Sequence, residues 1–454
     1  MADHSHLGIT KAEFVDQGLA LARPMATPSV LLIGLTDNTS APLEDPYRIE
    51  RGSSISNFDL AAGGPSELTK AILEAQSGGA ENIEVFVLSD GSGSRWSTLT
   101  NANRYNALDR GYGLLRNHPV DFAVPVGAYA DASGLAAGTS FAYQLANFCF
   151  RGTREFTARF GVLGITAPTT AVQTTGIPTL AELDAWATAV ATYNTSGLLG
   201  ASFPEYDGTT DAGGDDVPDN FALWATDDES MPTGAPPVND ANVMTDVNNN
   251  PVDIGAYVAC YAGWERFRNG AGRRLYPTLG YYNNNGAAAY AGLLAATPSY
   301  EAARNIPLPG AEEIRGLSST QADNLADSRF IVSCKKLGRY QVYDAMTAAH
   351  RLSEYVRSDY VRITTVLITH DSVDQVRVAA NPFIRLQNNT TNREALKQAL
   401  DEGLALLRGK GLEKWDFDLI YTPAMRVLGE LLIDLKLWVA EEIRHITVRV
   451  GLRR

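Results

Sequence analysis

Residues 66–88 read SELTKAILEAQSGGAENIEVFVL, and this stretch decides the fold class. From Ser66 to Gln76, Leu68, Ile72 and Ala75 recur on one helical face; Gly78 and Gly79 then stop the helix. Residues 83–88 (IEVFVL) return as a short, almost wholly apolar strand. A helix delivered into such a strand is half of a β-α-β unit.

Working outward, residues 29–35 (SVLLIGL) supply an equivalent strand upstream. Downstream the alternation continues: a helix over 105–116, an extended run VDFAVPV over 120–126, a helix over 141–150 and a strand FGVLGI over 160–165. The repetition predicts a mostly parallel sheet covered by helices. Thr179 with Glu182 and Ser318 with Gln321 have the spacing of capping boxes and mark two more helix starts.

The chain's 454 residues allow about three domains, or one large domain with insertions. Hydrophobic residues are 45% and charged residues 20%, the proportions of an ordinary packed protein. Net charge is −14, from 38 Lys and Arg against 52 Asp and Glu, a field that repels phosphate backbones and anionic lipid. Nucleic-acid binding and membrane insertion are therefore not expected. The start MADHSHLGITKAEF lacks the pattern of a secretory signal, and the uncharged run 160–181 is too rich in Thr, Gly and Pro to span a bilayer. Cys149, Cys260 and Cys334 are too far apart for a zinc spacing, and their odd number fits no disulfide framework; buried thiols made in a reducing cytoplasm are expected.

Charge is uneven along the chain. Between Arg159 and Arg266 there is no Lys or Arg, while fifteen acids recur there, most densely from Glu205 to Asp253. The same segment carries DGTTDAGGDDVPD and DVNNNPVD, loop compositions that belong in solvent. From Tyr340 onward sixteen basic residues balance fifteen acids, which places a domain boundary near residue 335. In that last part residues 392–407 form a helix with Leu396, Ala399, Leu400, Gly403 and Leu407 on one stripe. The run ELLIDLKLWV (430–439) fits a helical stripe but also alternates without a break; Gly429 before it and the period of two favour a strand. Residues 445–452 (HITVRVGL) alternate equally cleanly, and 8–15 (GITKAEFV) read as extended. Both ends are arms that join another sheet or fold back on their own domain.

Catalytic patterns are missing. The histidines His4, His6, His118, His350, His370 and His445 form no HExxH pair; Gly409-Lys410 is followed by Gly411 rather than Ser or Thr; Gly111-Tyr112-Gly113 lacks the third glycine of a dinucleotide fingerprint. Asp90–Ser94 (DGSGS) is no nucleophile elbow, and Asp211, Asp215, Asp216 and Asp219 lack the spacing and closing Glu of a calcium loop. No catalytic residue, metal or cofactor is assigned. Arg266, Arg268, Arg273 and Arg274 form the basic cluster, expected to meet acids such as Asp215 and Asp216 of this or a neighbouring subunit.

Taken in order, ARPMATPSVLLIGL, GGPSELTKAILEAQSGGAENIEVFVL, HPVDFAVPVGAYAD, DVNNNPVDIGAYVACYAGWERF, NIPLPGAEEIRGLSSTQADNLADSRFIVS and GELLIDLKLWVAEEIRHITVRVGL resemble the tail sheath proteins of contractile phage tails and related injection devices. The acidic region 169–244 matches least. The resemblance implies a self-assembling helical sleeve around an inner tail tube, with baseplate and tail terminator as further partners. It implies a virion tail assembled in the bacterial cytoplasm, and contraction that drives the tube through the host envelope for genome delivery. Subunits of the family exchange terminal strands, which points to Ile9, Lys11, Glu13 and Val15 at one end and Ile446, Val448, Val450 and Leu452 at the other. Lys410 and Lys414 are candidates for contact with the tube.

The expected fold is α/β and α+β multidomain. An N-terminal arm (1–22) precedes an α/β domain (23–168 and 251–335) interrupted by an acidic outward insertion (169–250). An assembly domain (336–443) and a C-terminal arm (444–454) follow. The alternatives are the sheath of a headless injection device, an α/β enzyme with an acidic insertion, and a calcium-stabilised binding module.

Overall fold

In the computed structural model, which describes residues 27–38, 40–50, 55–88, 101–130, 140–155, 157–173, 175–196, 254–268, 280–336, 338–349, 359–384, 386–423, 425 and 431–440, the parallel sheet expected from the sequence is present. It opens with β1 (Ser29–Gly34), β2 (Tyr47–Ile49), helix α1 (Glu67–Gly78) and β3 (Asn82–Val87). Helix α2 (Asn101–Leu114), β4 (Phe122–Pro125), β5 (Tyr129–Ala130), α3 (Phe141–Glu155), β6 (Phe160–Ile165) and α4 (Leu180–Ser196) follow. Then come β7 (Val258–Tyr261), β8 (Trp264–Arg268), β9 (Tyr281–Asn285), α5 (Ala287–Ala296) and β10 (Ala311–Glu313). Helix α6 (Ser319–Asp327), β11 (Phe330–Ile331), β12 (Ser333–Lys336) and β13 (Arg339–Val342) complete this part.

Strands run in the order β11-β7-β6-β4-β1-β3-β2, with β5 also on β6. All pairings are parallel except β2 on β3. Both faces are covered, so the central strands are almost wholly apolar. Leu31, Ile33, Leu163 and Ile165 face one core, with Leu108, Leu145 and Cys149. Val30, Leu32, Phe160 and Val162 face the other, with Ile72, Tyr290 and Leu293. Cys149, Cys260 and Cys334 are free and buried among these residues. The smaller sheet β10-β8-β9 is antiparallel and sits beside the large one.

The double glycine has two separate tasks. Gly79 adopts φ 108° and its N–H caps the α1 carbonyls of Ala75 and Gln76, a left-handed conformation that suits glycine. Gly78 instead lets α1 approach α5: a Cβ there would lie 2.3 Å from Ala289 O, and one on Gly292 would lie 2.3 Å from Ala75 O. At the other end of α1, Ser66 Oγ accepts from Thr69 N at 3.0 Å. Both expected capping boxes are formed, at Thr179 with Glu182 and at Ser318 with Gln321.

Arg159, the last basic residue before Arg266, is wholly buried. Its guanidinium lies 4.5 Å from the Phe148 ring and donates to the carbonyls of Leu115, Arg116 and His118, the last turn after α2. The cation thus meets carbonyls that have no partner within the helix.

A second unit follows. Helix α7 (Ile363–Ala380) and α8 (Thr390–Ala405) carry the hairpin of β14 (Leu412–Ile420) and β15 (Leu432–Val439). The strand chosen for residues 430–439 over a helix is therefore correct. The hairpin β12-β13 spans residue 335, where a boundary is expected from charge. Ile363 and Val366 at the start of α7 still belong to the sheet core, while Ile368, Val376 and Ala380 belong to the C-terminal core. The two cores meet inside a helix, because charge balance follows surface composition whereas cores follow the apolar stripes.

Candidate assembly interface

Hairpin β14-β15 pairs Trp415 with Leu437, Phe417 with Leu435 and Leu419 with Ile433 on one face. That face lies on α7 and α8 through Ile368, Val376, Leu396, Leu400 and Leu404. The opposite face pairs Lys414 with Trp438, Asp416 with Lys436, Asp418 with Asp434 and Ile420 with Leu432. Its members are mostly exposed; Lys414 Nζ stands 4.6 Å over the Trp438 ring, and Lys436 reaches Asp418 at 3.9 Å. Trp415, Phe417 and Leu419 on the inner face stay half-buried. This sheet has two strands among the described residues, so each strand presents one unpaired edge of N–H and C=O groups.

The second surface lies on β8 and β9. Arg266 and Arg268 project from the same face of β8, each guanidinium 6.0 Å from the Tyr281 ring. Glu312 stands across the strand from Arg266. Two of the four basic candidates thus share one face of β8; Arg273 and Arg274 lie outside the described residues, as do Asp215 and Asp216. The arm residues Ile9, Lys11, Glu13, Val15, Ile446, Val448, Val450 and Leu452 also lie outside them, as does the acidic segment from Glu205 to Asp253.

Several of the residues weighed for chemistry lie in packing or turn positions. Gly111 packs α2 on the sheet, since a Cβ there would lie 2.3 Å from Leu88 Cδ2. Gly409 and Gly411 have φ of 75° and 91° in the turn before β14. His118 pairs with Glu84, and His370 stacks on Tyr257 with centroids 5.8 Å apart; burial pulls the His370 pKa down to about 3, so it is neutral. Among the described residues no three His, Cys, Asp or Glu side chains gather as metal ligands, and no helix is long and apolar enough to cross a membrane.

No protein-family model and no curated protein matches the sequence. Solved structures match over nearly its whole length. A chain of the anti-feeding prophage baseplate, 6-fold symmetrised, superposes with a TM-score of 0.55 at 12% identity, covering 100% of this chain and 98% of that chain. The sheath complex of an extracellular contractile injection system, PVC, in its contracted state gives 0.56 at 11% identity, covering 99% and 98%. The sheath tail protein of Listeria innocua gives 0.53 at 8% identity, covering 92% and 93%. From end to end, then, the chain has the fold of contractile sheath proteins. At such identities the fold alone is shared.

Proposed function

We propose that this protein is the sheath subunit of a contractile tail or injection device, a structural rather than a catalytic component. The observation that carries the reading is the full-length sharing of the sheath fold, without a large domain left over on either side. The hairpin β14-β15 supports it, because a sheet that has two strands among the described residues offers edges to which further strands can add. In this reading residues 8–15 and 445–452 are the added strands, donated between neighbouring subunits. A donated strand of about six residues would form several ladder bonds worth roughly 0.5 to 1.5 kcal/mol each, plus the burial of Ile446, Val448 and Val450.

Head-to-tail linkage that does not close gives an open helix, the geometry of a sleeve around an inner tube. Baseplate and terminator proteins would cap its ends. Contraction would exchange one packing of nearly rigid subunits for another. The acidic belt of 205–253, with Asp215 and Asp216, would meet Arg266, Arg268, Arg273 and Arg274 of another subunit in the contracted packing. The sleeve fits a phage tail that delivers a genome, as expected from the sequence, and equally an injection device such as the one named for the PVC structure.

Negative-stain electron microscopy tests the reading. The purified, concentrated protein, or the protein co-expressed with its tube, is expected to form hollow striated tubes. Deletion of residues 444–454 is expected to abolish the tubes while circular dichroism and the melting transition stay those of the full chain. Discrete particles under both conditions, or loss of the melting transition on deletion, would overturn it.

A further inference from the structure

Strand β8 carries different chemistry on its two faces. Arg266 and Arg268 face outward, whereas Glu265 and Phe267 face inward, Glu265 with no exposed surface at all. The Glu265 carboxyl sits in a chamber built for it. Tyr261 Oη donates to Oε1 at 2.6 Å and Tyr340 Oη donates to the same oxygen at 3.1 Å; Ser333 Oγ lies 2.6 Å from Tyr261 Oη. Two glycines leave the room: a Cβ on Gly263 would stand 2.3 Å from Oε1, and one on Gly286 would stand 2.4 Å from Oε2. Among the described residues Oε2 has no full hydrogen-bond partner, although the Gly286 N–H beside it weakly favours the ionised form.

Among the described residues, no cation acts on the Glu265 carboxyl. Besides Tyr261 on β7 and Tyr340 on β13 there is Glu74 on α1, also buried, which accepts from Asn284 Nδ2 of β9 at 2.8 Å. Glu313 stands opposite on β10, Tyr282 lies on β9 and Tyr290 on α5. Lys70 of α1 is the cation on this side, and it acts on Glu74. Burial pushes Glu265 up to about 7, and the tyrosine hydroxyls hold it from rising further; burial also raises Glu74 well above the carboxylate range. An ionised carboxylate here would be a buried charge with hydroxyl donors and, among the described residues, no cation.

We propose that Glu265 is a proton switch: protonated, it fixes β8 against the sheet domain; ionised, it loosens the strand that presents Arg266 and Arg268. The proposal depends on the fold and not on the assembly reading. Because its titration in the closed strand lies above the value of 4.5 for a free glutamate, the closed strand keeps a proton that the open strand releases. Opening therefore becomes easier as pH rises from 4.5 towards 7, and levels off above 7.

Amide hydrogen exchange of the full chain, corrected for the intrinsic pH dependence, reads this directly at residues 264–268. Their opening is expected to rise up to about tenfold per pH unit between pH 5 and 7 and then to flatten, while β1 and β6 change less. Glu265→Gln keeps the shape without the ionisation, so its β8 exchange should be independent of pH. Tyr340→Phe removes a donor that favours the carboxylate and should move the plateau to higher pH, a shift that lost packing alone would not produce. Infrared spectroscopy of 13C-glutamate-labelled protein should show a protonated carboxyl persisting at pH 6 that Glu265→Gln removes. Wild-type exchange flat across pH 5 to 7, or the same profile in Glu265→Gln, would overturn the proposal. Should Glu265→Gln fail to fold, an unmoved plateau in Tyr340→Phe would overturn it instead.

Discussion

The two units of this chain solve the same problem with unequal completeness. In the large sheet each central strand has a neighbour on either side and helices on both faces, so Leu31, Leu32, Val162 and Leu163 are wholly buried. In the C-terminal unit, two helices cover one face of two strands, and Trp415, Phe417 and Leu419 remain half-buried. The first unit is finished by its own sequence. The second leaves apolar side chains half-buried and, among the described residues, has a sheet of two strands.

That contrast can be broken at either end. Phe160→Ala, in a strand buried on both faces, should cost about 4 kcal/mol and unfold the sheet domain cooperatively, as read by denaturant titration. Leu400→Ala, in the small core under the hairpin, should cost about 3 kcal/mol but leave exchange protection of β1 and β6 intact. Equal loss of protection in both units would mean that α7, shared between the cores, makes them one cooperative body. The smallest effect on the monomer sharpens the comparison most: charge reversal at the exposed Arg268 should leave stability within about 0.5 kcal/mol, yet weaken contracted sleeves against salt or urea.

The large sheet was legible because both of its faces are dry. Continuous apolar runs such as SVLLIGL and FGVLGI, separated by helical periodicity and glycine stops, leave little choice. In the C-terminal unit β15 was legible by its strict alternation. Its partner β14 has the same signal, with Trp415, Phe417 and Leu419 alternating with Asp416 and Asp418 after Gly411, and a search for period two finds it. The boundary near 335 was read from charge alone, and charge does not record that the apolar residues of α7 divide between two cores, Ile363 and Val366 in one and Ile368, Val376 and Ala380 in the other.

On β8, Arg266 and Arg268 stand out in the sequence as part of a basic cluster, but nothing in it marks Glu265 behind them. A single acid in the strand WERFR reads as a solvent-facing residue, and only the tertiary packing of Gly263, Gly286, Tyr261 and Tyr340 encloses it. Arg159 was equally silent: it is the last basic residue before a long acidic stretch, and nothing local marks it as interior.

The buried guanidinium of Arg159 has a consequence for how two distant segments dock. Such a group keeps its charge at any ordinary pH, and its hydrogen-bond partners, the Leu115, Arg116 and His118 carbonyls, come more than forty residues earlier in the chain. A half-docked intermediate with β6 seated and the α2 terminus still loose would strand a cation in a dry core, at a cost of several kcal/mol. Docking of the turn after α2 and of Arg159, just ahead of β6, is therefore expected to be coupled, so that loosening either should loosen the other.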